Sequence, residues 1–196
     1  MSYADAVALC RDCVLLTALA AALYTDATRG RVYNWCTFPA IIAGLLINLI
    51  AGALETTPGT AVADVLGGPL ISSLAGLALA LGLFGFAYLF HMLGGGDVKL
   101  MCAVGAIKGW RFLLDAAFLT ACAGALVAIG VLVWRGRLKE GLKSSVLALF
   151  APRRFRKRTE DLPEGAAELT TIPYVWAIAA GTLAAWVLTS PGRGGL

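Results

Sequence analysis

The stretch HMLGGGDVKLMCAVGAIKGW, residues 91–110, interrupts a chain that is otherwise a succession of apolar runs. Three consecutive glycines cost a helix about 1 kcal/mol each relative to alanine, so helix propensity did not place them. The apolar part, residues 98–110, would rise about 20 Å as a helix, short of the about 30 Å of a bilayer's hydrocarbon. The segment therefore reads either as a short helix, tilted or packed inside a bundle, or as a Gly-Gly-Gly-Asp turn lying partly at membrane depth. Non-helical backbone at that depth is tolerated only where protein or a water-filled cavity satisfies it, so the turn before Asp97 points to a cavity. Lacking a Cβ, Gly94 and Gly96 would let a substrate backbone come close.

Outward from this segment, apolar length predicts helices at about residues 6–24, 35–54 and 70–90 before it and 112–134 and 172–189 after it. With the short helix at 98–110, the expected fold class is an all-α, polytopic membrane bundle of about six transmembrane helices. The chain is 59% hydrophobic and 14% charged, against about 25% charge in soluble domains, so water is not its main solvent. Residues 1–196 read as a single integral-membrane domain with a basic cytoplasmic loop at about 135–170. The start, MSYADAVALCRDC, lacks a basic n-region and a clear cleavage site, and its helix is expected to be retained. With the N-terminus outside, 12 of the 16 lysines and arginines fall in cytoplasmic loops, the arrangement that positive charge favours.

This topology puts Asp26, at the end of the first helix, and Asp97, at the start of the fourth, on the same cytoplasmic boundary, although they lie 71 positions apart in sequence. Carboxylates beside hydrocarbon are costly and mark functional positions. Two that share a site cannot both ionise cheaply, so one holds a proton near its working pH. Such a pair suits peptide hydrolysis: the ionised member takes a proton from water while the protonated one polarises the scissile carbonyl. Taken singly, Asp26 also reads as an ordinary interfacial carboxylate near Arg29 and Arg31, and Asp97 as a helix N-cap.

Three stretches carry a family resemblance. TDATRGRVYNWCTFPAIIAGL, residues 25–45, resembles the prepilin peptidase pattern of an aspartate, a short basic stretch and an Asn-Trp-x-Thr helix start. GGGDVKLMCAVGAIKGW, residues 94–110, resembles its Gly-x-Gly-Asp segment, and TIPYVWAIAAG, residues 171–181, the Pro-Tyr start of its last helix. The resemblance covers about residues 10–110 and 170–185. It implies a membrane aspartyl endopeptidase of the bacterial inner membrane that cuts the short basic leader from type IV pilin-like precursors at the cytoplasmic face. Asp26 and Asp97 match the catalytic pair, Gly94 and Gly96 the motif glycines at the substrate approach, and Lys99 a lysine that commonly follows. Tyr33 stands where the family usually has proline, and Val175 where a glycine often follows Pro-Tyr. Larger bifunctional members carry an N-terminal extension and Cys-x-x-Cys pairs associated with N-methylation. This sequence instead resembles the short, peptidase-only branch of tight-adherence or Flp-type pili.

The expected partners are a pilin-like precursor and membrane lipid. Neither cofactor nor metal is expected: Cys10 and Cys13 share a helix face, but a zinc site wants four N or S ligands and the single histidine, His91, is far along the chain. The five cysteines are odd in number and lie mostly in apolar runs, which argues against a disulfide framework. The basic run at residues 153–158 reads as a membrane-orienting and lipid-attracting feature, not a nucleic-acid site. His91 reads as an interface marker, Lys108 and Arg111 as snorkelling side chains, and Asp115 as a weak third acid. Two rivals remain at this point. One is a presenilin-like intramembrane protease, whose Tyr-Asp first motif Tyr24-Thr25-Asp26 does not match; the other is a small proton-coupled transporter or channel.

Overall fold

A computed structural model describes residues 3–55, 68–90, 93–134 and 174–189. The described residues form six helices: α1 (Tyr3–Arg29), α2 (Asn34–Glu55), α3 (Pro69–Leu89), α4 (Gly95–Lys108), α5 (Trp110–Trp134) and α6 (Tyr174–Thr189). The chain is an all-α, multi-pass membrane bundle. Four helices, α1, α2, α3 and α5, are long and apolar enough to cross a bilayer, and α6 is a shorter apolar helix. Large apolar side chains such as Phe86, Phe118, Leu126 and Leu188 are exposed on the outside, as expected of a surface solvated by lipid tails.

The fourth helix is the centre of the molecule. At 14 residues α4 extends about 21 Å, too little to span hydrocarbon, and its residues 100–107 contain not one exposed side chain. It packs chiefly against α3 and α2, and also touches α1, α5 and α6. Small residues make this enclosure possible. Gly76 of α3 and Gly105 of α4 cross backbone to backbone with no room for a Cβ on either, and a Cβ on Gly44 of α2 would come within 2.7 Å of Ile107.

A helix that ends inside a bundle must satisfy its last carbonyls, since buried unpaired backbone groups are costly. Asn48 of α2, 2% exposed, does this for α4: its amide nitrogen donates to the carbonyls of Ala106 at 3.3 Å and Ile107 at 3.1 Å, and to Gly44 at 2.8 Å. Gly109, at φ 87°, then turns the chain into α5 in a conformation that side chains other than glycine rarely adopt. Lys108 is not a snorkelling side chain as expected. It pairs with Asp12 of α1 and lies over the Phe112 ring, 5.6 Å from its centre, so α4 is pinned to α1 at this end. Arg111 lies over the ring of Trp110 at 5.3 Å.

Helix limits agree with apolar length except where polar residues continue a helix. The first helix runs on to Arg29, so residues 25–29 of the expected polar loop are helical; Thr25 and Thr28 return their hydroxyls to carbonyls one turn back. Likewise Gly95 and Gly96 form the first turn of α4 with no positive φ, where an irregular turn was expected. Burial of the helix they begin outweighs their poor propensity. His91 and the 135–170 loop, with its basic run, lie outside the described residues.

Candidate active site

Asp26 and Asp97 come together at one end of the bundle. Asp26 is in the last turn of α1, which Gly30 closes at φ 61° by donating its N–H to the Asp26 carbonyl at 2.8 Å. Four residues after Gly30, at Asn34, α2 begins, so the chain reverses beside Asp26 in a tight link. Asp97 is the third residue of α4, not its N-cap. It reaches back to accept a hydrogen bond from the Gly94 N–H at 3.3 Å, one half of a capping box.

The two carboxyls differ in environment. Asp26 is half-buried, whereas Asp97 is 8% exposed, in a helix outside the four candidate spans. Burial pushes the Asp97 carboxyl up to about 6; the Gly94 N–H opposes this, and the negative charge of Asp26 adds to it. The site thus holds two interacting carboxyls, with the proton favoured on the more deeply buried one. Tyr174, at the start of α6, lies close enough for its phenol to feel the charge of Asp97. In the sequence Pro-Tyr is legible only as a helix start, because spacing along the chain does not reveal that α6 begins beside α4.

The motif residues separate into different surroundings. Gly94 is exposed, and a Cβ there would meet only the Asp97 carboxylate, at 3.2 Å, so its bareness keeps that carboxylate from being crowded. Gly96 does not face open space as expected: a Cβ on it would come within 3.0 Å of Val32 Cβ and 3.4 Å of Val32 Cγ2. Its lack of a side chain serves the packing of α4 against the link that follows Asp26. Lys99 donates to the Asn34 side-chain oxygen at 2.7 Å. Asn34 was legible in the sequence only as part of a helix start. Asp115 is exposed on the second turn of α5, the element that leaves the opposite end of α4, and is not gathered with the pair. All five cysteines are free, and among the described residues no three His, Cys, Asp or Glu side chains cluster as a metal site.

A family model described as the Type IV leader peptidase family matches residues 13–129, more than half of the chain and a stretch containing both aspartates. A prepilin leader peptidase/N-methyltransferase of Burkholderia pseudomallei is 34% identical over 131 residues, which cover 64% of this chain and 38% of that protein. A protein of the same name from Aeromonas hydrophila is 30% identical over 129 residues, covering 62% and 40%. The chain thus spans about two fifths of the length of these curated relatives. No solved structure matches it.

Proposed function

The chain belongs to the type IV leader peptidase family, and from that membership we propose that it is a membrane aspartyl endopeptidase. Its substrates are type IV pilin-like precursors of the Flp kind, from which it removes the short basic leader at the cytoplasmic face of the bacterial inner membrane. Asp26 and Asp97 are the catalytic pair. The observation that carries this reading is the asymmetry of the pair: Asp97 is buried and pushed up to about 6, with the Asp26 charge contributing, while Asp26 is the more accessible partner.

The geometry suits hydrolysis by water. Asp26, ionised, removes a proton from a water molecule whose oxygen bonds to the scissile carbonyl carbon. Asp97, protonated, gives its proton to the carbonyl oxygen as the carbon becomes tetrahedral. Collapse restores the carbonyl, breaks the C–N bond and sends a proton to the departing amine, leaving one proton on the pair. Gly94 puts no side chain against the Asp97 carboxylate, and the positive charges of Arg29, at the end of α1, and Arg31, on the link, follow Asp26 in the chain.

Co-expression with the pilin-like precursors of the same genome tests the reading. A product shortened at its N-terminus, present with the wild type and absent with Asp26→Asn or Asp97→Asn, supports it. Intact precursor with the wild type, or ion flux that depends on the two aspartates, would replace it with the transporter reading.

A further inference from the structure

The short helix α4 carries Asp97 but is held unevenly along its length. Its far end is secured by Asn48 on two carbonyls, by the Lys108–Asp12 ion pair and by the Gly76–Gly105 crossing. Its near end begins with Gly95 and Gly96 after the N-cap Gly94, and these glycines have no side chains to anchor it. Asp97, itself buried, therefore sits on a turn whose preceding residues bring no side chains of their own to hold it.

One polar contact crosses this gap. Lys99, the second residue after Asp97, donates to the side-chain oxygen of Asn34, the first residue of α2 and the first beyond the link that follows Asp26. The bond joins positions 65 apart in sequence. Residues two apart on a helix do not face one another, so the Lys99 amine leaves α4 on a different side from the Asp97 carboxylate. Among the described residues no carboxylate lies within ion-pair distance of Lys99, and the charge that bears on Asp97 is that of Asp26. Lys99 therefore acts as a donor to a neutral amide oxygen and not as a counter-ion of the site.

We propose that Lys99 and Asn34 are a pair of positioning residues, a latch that holds the glycine-rich start of α4 against the start of α2 and so sets the separation of Asp26 and Asp97. This rests on the catalytic reading of the two aspartates and adds to it a role for two residues outside the carboxyl pair. The Gly96–Val32 contact lies in the same seam, which the latch closes from its exposed side.

The test uses the full chain in nanodiscs, with Lys99→Met, Asn34→Leu, the double variant and Lys99→Arg, and with Asp97→Asn as a control. Hydrogen exchange of the amides at residues 30–34 and 94–98 is read together with cleavage of a pilin-like precursor. A latch predicts faster exchange in both segments for both single variants. It also predicts a fall in kcat of about tenfold with KM within twofold, since small displacements of reacting groups act on rate. The double variant is no worse than either single one, and Lys99→Arg retains the wild-type rate. The proposal is overturned by unchanged exchange in both single variants, whatever the activity. It is also overturned by a raised KM with Lys99→Met while Asn34→Leu is silent, which would make Lys99 a substrate contact, or by losses that multiply in the double variant. The catalytic reading fails separately, if Asp97→Asn cleaves like the wild type.

Discussion

Gly96→Val tests what the second motif glycine does. A Cβ at this position would stand 3.0 Å from Val32 Cβ and 3.4 Å from Val32 Cγ2, whereas carbon atoms rest about 3.5–4.0 Å apart. Alanine therefore asks Val32 to retreat by about half an ångström, and valine adds two further methyl groups at the same seam. Overpacking of this kind costs about 1–3 kcal/mol when it cannot relax. Here it can relax in part, because Val32 sits half-buried on the link between α1 and α2, and the displacement is passed to the segment that follows Asp26. Activity should then suffer more than stability, since a shift of about 1 Å in reacting groups is enough for a loss on the order of 100-fold. We expect a few-fold loss of kcat for Gly96→Ala and about 100-fold for Gly96→Val, with a small change in melting temperature in detergent. Adding Val32→Gly, which removes both opposing carbons, should restore much of the rate. Precursor cleavage at matched protein concentration is the assay. A wild-type rate in Gly96→Val, or a defect untouched by Val32→Gly, would refute the packing argument.

The remaining expectations concern the carboxyl pair, the buried asparagine and the topology. Asp26→Asn and Asp97→Asn should each abolish cleavage while the protein still inserts, because each carboxyl has its own proton-transfer task; cleavage by either removes that residue from the pair. In Asp26→Asn the Asp97 carboxyl should titrate below about 6 yet above the ordinary 3.8, since a repelling charge is lost while burial persists; an infrared titration of the protonated carboxyl showing no decrease would contradict the coupling. For the same reason wild-type cleavage should decline as pH rises past the upper titration of the pair and its proton is lost, and a rate still rising there would count against Asp97 as the acid. Asn48→Leu should destabilise the fold by about 1–3 kcal/mol by leaving the Ala106 and Ile107 carbonyls unpaired, and an unchanged denaturation midpoint would show that they have another donor. Single-cysteine variants labelled in intact cells should react from outside near the N-terminus and not in the 135–170 loop; labelling of the loop from outside would invert the topology.

Much of this protein was legible in its sequence because lipid imposes a one-dimensional requirement. A helix that crosses hydrocarbon needs an uninterrupted apolar length, and that length is written directly in residues 35–54, 70–90 and 112–134, which fall within one or two residues of α2, α3 and α5. The short fourth helix showed as an apolar run too brief to span, though how it is seated did not show, and Asp26 and Asp97 stood out as a pair because the topology puts both on one boundary, where carboxyls beside hydrocarbon are costly. What the sequence does not carry is which sides of these helices meet. Lipid tails are as apolar as leucine, so an outward face and a buried face have similar composition, and no stripe along α3, α5 or α6 announces the core. The enclosure of α4, the fit of Gly96 against Val32, the Asn48 bonds and the Lys99–Asn34 and Lys108–Asp12 contacts all depend on helix rotation and on crossings at Gly44, Gly76 and Gly105. Those are set by close packing among several helices at once, and only the tertiary structure decides them, because in a bilayer shape complementarity and polar pairing, not hydrophobicity, select which helix faces come together.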